Sequence, residues 1–531
     1  MIRRMNVKNI LKKRYDIILL IIGIIMFMLI NTYKITNASL WYDEGIEYWY
    51  SKGGIMPMGI GGGGFFDRVR NTYQPPLYNI LMFLWLKIMD NEFWFRFFGV
   101  VVGAIGMIFL YKTVRFITKN ILVPILVIIF ATFIFRQVYY YQEAAEYCLL
   151  MPLMYFSIYS FLKYTKDINL KNLIQMAISF VLPLWTQYGS AFPIIVMAIT
   201  TFIITLKQKN MNIIKNMIII YTICIIVFGG LLYFLFLRFN YKSNHFIPFN
   251  FHINIIYDFF ESIASILLFH FTEFNRSKGG IFQIYFVGMI TTLIIISLMG
   301  YLLFKGNKLS KIFIAVVIFT FVFHWLFCKA GFYANTNYID LSSQCANRTS
   351  LFYAPLIIVL MVILLKDIYS KLVRVNVNNK NLGHIFLGCV LTFILMYSYI
   401  NFFYHIEKNW DKQDLKSAVK LYLDDDEDAR VVVHGTARPV FAFYMTHYGK
   451  KTVIELNKDK YIPCNWNEYI NIKEYLDEKR INEDVVYLFG SSIDYNNGIN
   501  NEYIKYFNEK GYSEEVNKYY EAWSTKFTKI K

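Results

Sequence analysis

The run IILLIIGIIMFMLI, residues 17–30, and the stretch SLWYDEG that follows it, residues 39–45, decide how this chain folds. The first is the core of an apolar segment long enough to cross a bilayer as a helix. The second places two adjacent carboxylates, Asp43 and Glu44, beside Trp41 near the end of that segment. Aromatic residues are expected at a membrane interface, whereas a paired acid is not needed there. We therefore expect the acids to form part of a site; the alternative is a solvated loop that happens to carry them.

Apolar runs of this kind recur along the first 400 residues. The chain is 56% hydrophobic, and its mean hydropathy is +0.39. These values predict an α-helical polytopic membrane protein surrounded by membrane lipids. A net charge of +17 would suggest a nucleic-acid partner in a soluble chain. Because the basic excess lies entirely within residues 1–404, we expect no nucleic-acid partner.

Basic clusters occur at alternate gaps between the apolar runs, and the positive-inside rule assigns such clusters to the cytoplasm. The clusters lie at residues 1–16, 112–119, 163–171, 207–215, 305–311 and 366–380. We therefore expect about eleven transmembrane helices in a multi-pass protein of the cell membrane, with a cytoplasmic N-terminus and an extracytoplasmic C-terminal region. The spans are expected near 16–33, 93–113, 121–138, 147–163, 171–186, 189–206, 213–237, 281–304, 311–328, 349–366 and 384–404.

Two domains are expected: a transmembrane domain at 1–404 and a soluble domain at 405–531. The apolar run 76–89 is short, so we expect a helix lying in the outer interface, within one long external loop at 34–92. In the C-terminal domain, helical and strand patterns alternate, which predicts an α/β fold. Its expected helices are 411–423, 437–448, 468–480 and 501–510, and its expected strands are 430–434, 452–456, 484–489 and 515–522.

Three features together resemble a known group of enzymes. They are Trp41-x-Asp43-Glu44, the helix start Gln74-Pro75-Pro76-Leu77-Tyr78, and Arg348 at the opening of a late span. This combination resembles the GT-C superfamily of membrane glycosyltransferases, in particular the group with protein O-mannosyltransferases and lipid A aminoarabinose transferases. Glu143, and Thr186-Gln187-Tyr188 at the tip of a pair of spans, also resemble motifs of this group, but less specifically. Gln74 and Gln187 stand where the group often has histidine.

The resemblance implies transfer of a sugar from a polyprenyl-phosphate donor to a hydroxyl of a lipid, glycan or protein acceptor, outside the cytoplasm. A phosphate is already a good leaving anion, so one carboxylate base is sufficient for an inverting displacement. We expect Asp43 to be that base and Glu44 to support it or to orient the acceptor. The donor phosphate is expected to bind external arginines, unless these are ordinary interfacial residues: Arg348, Arg70 and Arg68. The expected substrate-binding residues are Trp41, Gln74, Tyr78, Glu143, Gln187 and Tyr188.

No metal or other cofactor is expected, since no D-x-D or histidine–acid ligand set stands beside the acid pair. Two other classes of protein remain open from the sequence. A transporter or flippase would need ionisable residues within its spans, and the acids here lie at external ends. A non-catalytic envelope-assembly subunit would keep the architecture without needing Asp43.

Overall fold

The computed structural model describes residues 2–60, 64–69, 74–118, 120, 122–236, 281–330, 348–377, 380–403, 413–425, 429–464, 472–491 and 498–530. The helices up to residue 403 are α1 (Ile2–Thr32), α2 (Tyr42–Lys52), α3 (Phe65–Val69), α4 (Leu77–Leu86), α5 (Glu92–Ile117), α6 (Leu122–Thr132), α7 (Phe135–Gln142), α8 (Tyr147–Lys166), α9 (Leu170–Leu184), α10 (Ala191–Lys207), α11 (Met211–Phe236), α12 (Ile281–Lys305), α13 (Lys308–Lys329), α14 (Tyr353–Leu372) and α15 (Leu382–Asn401). Two antiparallel strands of two residues each, β1 (Asn376–Val377) and β2 (Lys380–Asn381), lie between the last two of these helices.

The expectation of a mostly helical membrane protein is confirmed. Each of the eleven expected spans contains a helix, and seven helices among the described residues are long and apolar enough to cross a bilayer. The expected span 121–138 is wrong as one continuous helix, because the chain turns after α6 and resumes as α7. Ile134 is extended there, with φ −68° and ψ 114°. With 11 residues, α6 is about 17 Å long, roughly half the thickness of a hydrocarbon core.

Contacts divide the chain into two compact units, each described here by itself. The helical unit comprises residues 1–33, 73–78 and 97–408, and the α/β unit comprises 34–72, 79–96 and 409–531. The short helix expected at 76–89 is present as α4. The predicted boundary at 404/405 and the external position of the loop 34–92 stay predictions.

Close helix packing in the helical unit depends on glycines of α5. A Cβ at Gly99 would lie 2.3 Å from the Tyr141 carbonyl oxygen, and one at Gly103 would lie 2.6 Å from the ring of Phe27. These positions require glycine because α7 and α1 approach the α5 backbone directly. The Gly99-x-x-x-Gly103 spacing therefore serves helix packing.

The α/β unit contains a five-stranded sheet whose strands lie in the order β4 (Tyr461–Pro463), β3 (Arg430–Val433), β5 (Val485–Ser491), β7 (Ala522–Lys529) and β6 (Tyr512–Tyr519). β3 is parallel to both β4 and β5, whereas β7 is antiparallel to β5 and β6. Its core includes Val432, Leu488, Phe507 and Phe527. The elements after residue 412 are α16 (Leu415–Asp425), β3 (Arg430–Val433), α17 (Arg438–His447), α18 (Val453–Leu456), β4 (Tyr461–Pro463), α19 (Ile472–Glu478), β5 (Val485–Ser491), α20 (Gly498–Glu509), β6 (Tyr512–Tyr519) and β7 (Ala522–Lys529).

Two strand predictions in this unit are wrong. Residues 452–456 form α18 because Thr452 and Glu455 make a capping box: Thr452 Oγ1 accepts from the Glu455 N–H at 3.2 Å, and Glu455 Oε2 accepts from the Thr452 N–H at 2.6 Å. The expected last strand at 515–522 is a hairpin of two strands. It turns at Glu521, whose φ is +43°.

The junction between α2 and α17 requires a glycine on α2. A Cβ at Gly45 would lie 2.8 Å from Pro439 Cβ and 2.9 Å from Val440 Cγ2. We expect Gly45→Ala to lower the stability of the α/β unit by about 1–3 kcal/mol, since overpacking displaces one helix from the other. The matched control is Gly64→Ala, where an added Cβ meets nothing within 4 Å. Equal thermal unfolding midpoints for the two purified variants would contradict this packing.

The pKa of His434, next to β3, makes the α/β unit sensitive to pH. Burial, reinforced by the Arg438 guanidinium, lowers that pKa to about 4. Between pH 6.5 and 4 the unfolded chain gains a proton that the folded chain does not, so folding stability should fall by about 3 kcal/mol over that window. In His434→Asn, denaturant unfolding measured at pH 7 and pH 4.5 should show a smaller loss. An unchanged pH dependence in the variant would assign the effect to other groups.

Candidate active site

The acid pair lies in the first turn of α2, within the α/β unit. The helix begins where the Trp41 N–H donates to Glu44 Oε2 at 3.4 Å. Acidic side chains are favourable in a first helical turn because the positive end of the helix dipole lies there. α2 ends at Lys52 and is followed by Gly53, whose φ of +74° only glycine adopts without strain. The site is therefore carried by a short, well-terminated helix.

Glu44 is fully buried and forms a bidentate ion pair with Arg96. Arg96 Nε donates to Glu44 Oε1 at 2.8 Å, and Nη2 donates to Oε2 at 2.6 Å. The remaining donors of the guanidinium bind carbonyl oxygens of the segment before α2: those of Ile35 at 2.9 Å, Ala38 at 2.8 Å and Ser39 at 3.0 Å. All five N–H donors of Arg96 are thus used. This arrangement fixes both the helix start and the chain leading to it.

A second buried acid, Glu92, extends this ion pair into a balanced network. Lys416 Nζ donates to Glu92 Oε2 at 2.9 Å, and the hydroxyls of Tyr444 and Tyr448 donate at 3.2 and 2.8 Å. Burial and the Glu92 carboxylate raise the pKa of both tyrosines, so both remain protonated donors. With Glu44 and Arg96, the network contains two carboxylates and two cations, which is how charges are tolerated away from water.

Residues 413–444 hold the segment that carries the acids. The Leu40 N–H donates to the Tyr444 hydroxyl at 2.7 Å, and the Tyr42 N–H donates to Gln413 Oε1 at 3.0 Å. About two turns further along α2, the Trp49 indole donates to the Pro439 carbonyl oxygen at 2.9 Å. The backbone before Asp43 and the Trp49 side chain after it are therefore bonded to the C-terminal part of the chain.

Asp43 differs from its neighbour in exposure. Its side chain is partly exposed, whereas Glu44 is 0% exposed. The two adjacent carboxylates thus have different surroundings: Glu44 is buried and paired with Arg96, whereas Asp43, in the same helical turn, is partly exposed. The structure places Trp41, also half-buried, directly before this turn.

The far end of α2 is anchored by Asp90. Tyr48 donates its hydroxyl to Asp90 Oδ1 at 2.9 Å, Lys52 forms a salt bridge with the same carboxylate, and His447 Nε2 lies 3.5 Å from Oδ1. Burial alone would raise the pKa of Asp90, but the hydrogen bonds from His447, Lys52 and Tyr48 hold it well below its usual range. The carboxylate is therefore ionised, and it fixes the last turns of the helix.

Arg68 and Arg438 contact the loop that follows α2. Buried Arg68 donates to the carbonyl oxygens of Trp49, at 3.4 Å, and Gly54. Arg438 Nη1 donates to the Met58 carbonyl oxygen at 3.1 Å. Arg68 thus binds backbone carbonyl oxygens at the end of α2 and just after it. Its predicted role in binding the donor phosphate stays a prediction. Arg70 and residues 61–63 lie outside the described residues.

In the helical unit, the predicted Pro-Pro-Leu-Tyr start and Thr-Gln-Tyr tip are neighbours. The Leu77 N–H donates to the Trp185 carbonyl oxygen at 2.9 Å. Tyr78 is 1% exposed and lies edge-on to the Phe98 ring, with the centroids 5.8 Å apart. Gln187 is 0% exposed, while Gln74 and Tyr188 are partly exposed. The two motifs therefore form one cluster.

Two further predicted residues lie elsewhere in this unit. Glu143 directly follows α7 and is 1% exposed. Arg348 opens a short turn, Arg348–Ser350, before α14; its side chain lies outside what the structure describes. Just beyond, the Tyr353 hydroxyl lies 3.1 Å from Nδ1 of buried His324 on α13, which anchors the start of α14.

The sequence did not single out Arg96, Glu92 or Lys416. The sequence does contain a signal for Glu92 and Arg96. They lie four residues apart at the start of an apolar run, where charged residues are costly unless they pair. Lys416 had no such signal, because its partner lies 324 residues away. Within the described part of the chain, no group of three or more metal-ligating side chains occurs.

Comparison with protein families matches residues 73–234 to the family described as dolichyl-phosphate-mannose-protein mannosyltransferase. The matched segment is less than half of the chain. It contains Gln74, Tyr78, Glu143, Gln187 and Tyr188, and it begins beyond the acid pair. A comparison with curated proteins finds no match.

Solved structures share the fold over nearly the whole chain. ArnT from Cupriavidus metallidurans bound to undecaprenyl phosphate superposes with a TM-score of 0.50 and 10% identity, covering 96% of this chain and 97% of that one. Its apo form gives 0.51 with the same identity and coverage. The S. cerevisiae protein O-mannosyltransferase Pmt1–Pmt2 complex bound to the sugar donor overlaps in part, with 16% identity over 42% of this chain and 34% of that one and a TM-score of 0.30.

The ArnT-like fold and the family match define the class of this protein as a multi-pass membrane glycosyltransferase. Both matches are to enzymes of the GT-C superfamily, which the sequence motifs resemble. The enzyme is thereby favoured over the transporter and assembly-subunit alternatives.

Proposed function

We propose that this enzyme transfers a sugar from a polyprenyl-phosphate donor to an acceptor hydroxyl, with Asp43 as the general base. The observation that carries this proposal is the division of the acid pair. Glu44 is buried and fully bound by Arg96, so it serves to hold α2. Asp43 is partly exposed on the same rigid turn and can reach a substrate.

In the proposed reaction, the acceptor oxygen attacks the anomeric carbon as the bond from that carbon to the phosphate oxygen breaks. The acceptor proton passes to the Asp43 carboxylate, and the bond electrons leave with the polyprenyl phosphate. The configuration at the anomeric carbon inverts. A base positioned for this step typically contributes about 10²–10⁴-fold.

The donor assignment rests on the ArnT structure, which holds undecaprenyl phosphate in the same fold. Arg348, Arg70 and Arg68 remain our candidates for the donor phosphate, because a guanidinium matches two phosphate oxygens at once. The cluster of Gln74, Tyr78, Gln187 and Tyr188, together with Glu143 and Trp41, is proposed to bind the substrates. The acceptor can be a lipid, a glycan or a protein.

We propose that the reaction takes place outside the cytoplasm. The charge pattern assigns the loop 34–92 and the region 405–531 separately to the extracytoplasmic side. In support of that assignment, most of both segments lies in one compact unit. The N-terminus is then cytoplasmic.

Metal independence is a further expectation of this reaction, because arginines can neutralise the leaving phosphate. Sugar transfer should continue unchanged in the presence of EDTA. A loss of activity with EDTA that added Mg²⁺ or Mn²⁺ restores would instead make Asp43 a metal ligand.

The function is tested by incubating the purified protein in proteoliposomes with labelled undecaprenyl-phosphate sugars. We expect at least one sugar to be released from the lipid, with undecaprenyl phosphate as the co-product. Release of undecaprenyl pyrophosphate, or use of a nucleotide sugar in preference to every lipid-linked one, would contradict the proposed donor class.

A further inference from the structure

An apolar groove lies in the helical unit between α6, α14 and α15. Its larger part is a cavity of about 310 Å³. A second cavity of about 100 Å³ continues it, and the two share five lining residues. Each helix contributes one face, with the helical spacing of three or four residues. The shared residues are Val127, Val362, Leu365, Val390 and Ile394.

Polar groups line only one end of this groove. The second cavity is bordered by Thr118, Asn120, Lys366 and Tyr369, none of which lines the larger one. Arg115 Nη1 holds the Asn120 carbonyl oxygen at 3.2 Å, which fixes the turn before α6. The groove therefore has an apolar interior and a mouth that offers hydrogen-bond donors.

Lys366 supplies a positive charge to this mouth. Among the described residues, its ammonium has no hydrogen bond or ion pair. The next residue, Asp367, is buried and accepts from Ser310 Oγ at 3.0 Å. Lys371, one turn further, binds the Tyr301 hydroxyl at 2.5 Å and borders a different cavity. Lys366 is thus available to an anion at the groove.

The polar end of this groove lies away from the donor-phosphate site proposed above. Lys366 lies 13 residues after Tyr353, where α14 begins, so about 20 Å of helix separates it from that end. Arg348, the candidate for the donor phosphate, precedes that same end. A donor bound at Arg348 would place its phosphate far from Lys366.

We propose that this groove binds one acidic glycerophospholipid of the surrounding leaflet. Its phosphate contacts Lys366 and Tyr369, and one acyl chain fills the space between α6, α14 and α15. Charge complementarity selects the occupant: a basic side chain between transmembrane helices recognises anionic headgroups, whereas the apolar interior excludes a free soluble anion. The bound chain also fills the space beside α6, which is too short to cross the bilayer.

The test uses the full chain purified in detergent and titrated with dioleoylphosphatidylglycerol or dioleoylphosphatidylcholine, with bound lipids counted by native mass spectrometry. We expect one molecule of the acidic lipid to bind in preference to the neutral one. Lys366→Ala should weaken that binding about tenfold, the loss expected of one charge-assisted hydrogen bond. Lys371→Ala is the matched control and should bind as the wild type does.

Filling the groove gives a second, charge-independent arm. Val390→Trp should remove the bound acidic lipid while Lys366 remains in place. Equal binding of both lipids, or equal losses in Lys366→Ala and Lys371→Ala, would overturn the proposal. Displacement of the lipid by undecaprenyl phosphate in stoichiometric amount would assign the groove to the donor and overturn it as well.

Discussion

Replacing Asp43 by asparagine is expected to lower the rate of sugar transfer by about 10²–10⁴-fold, with donor binding retained. Asparagine keeps the shape of the side chain and most of its hydrogen bonding, but it cannot take the acceptor proton. The fold should survive, because Glu44 and Arg96 still hold the first turn of α2. The favourable interaction of the carboxylate with the helix dipole is lost, which is about 0.3–1 kcal/mol. Turnover and donor affinity are measured on the purified variant.

Glu47→Gln is the matched control for that variant. Glu47 lies one turn further along the same helix, and its carboxylate accepts from Asn79 Nδ2 at 2.6 Å. This change removes one carboxylate from α2 without touching Asp43, so turnover should stay within about tenfold of the wild type. A loss in Glu47→Gln as large as that in Asp43→Asn would show that Asp43 is not the specific base.

Replacing Arg96 by methionine is expected to destabilise the α/β unit by about 3–5 kcal/mol. A buried ion pair adds little net stability when intact, because desolvation offsets the attraction. Removing one partner is costly, since the Glu44 carboxylate stays 0% exposed without its cation. Three backbone carbonyls also lose their donor. Denaturant unfolding followed by tryptophan fluorescence measures the change.

The double variant Arg96→Met with Glu44→Gln separates the uncompensated charge from the lost packing. If the buried charge is the main cost, the double variant should regain a large part of the stability that the single variant lost. Sugar-transfer activity should remain low in the double variant, because the hydrogen bonds that fix the position of Asp43 at the start of α2 are lost. Wild-type stability in Arg96→Met would contradict the network described here.

The helical architecture could be predicted because hydrophobic length and charge alternation are local signals. Each of the eleven expected spans contains a helix within the described part of the chain. The break between α6 and α7 was not predictable from hydropathy, since the apolar pattern continues across Phe133 and Ile134. The hairpin turn at Glu521 carries no Asn-Gly or Asp-Gly signal, and two strands therefore resembled one.

The site was predictable only at its reactive end. Asp43 and Glu44 drew attention as adjacent acids near a span, but the sequence could not tell which of them is buried. That distinction depends on Arg96, which lies 52 residues away from Glu44 in the chain. The role of the C-terminal region was equally hidden. Tyr444 bonds to Leu40 across 404 residues, a contact that no local pattern reports.

These long-range contacts indicate a structural role for the C-terminal region. In the α/β unit, α16 and α17 supply Lys416, Tyr444 and the Pro439 carbonyl oxygen to the segment around the acids. We infer that residues 413–444 position Asp43 rather than forming a separate module. Substitutions there should lower turnover without removing any group that contacts substrate.

Single-turnover transfer tests the central claim most directly. Proteoliposomes with wild-type, Asp43→Asn or Glu47→Gln protein are loaded with saturating labelled undecaprenyl-phosphate sugar, and transfer to the acceptor is followed in one catalytic cycle. Because donor is saturating, the rate reports the chemical step. The account predicts comparable rates for wild type and Glu47→Gln and a rate about 10²–10⁴-fold lower for Asp43→Asn. Equal single-turnover rates for Asp43→Asn and wild type would contradict it.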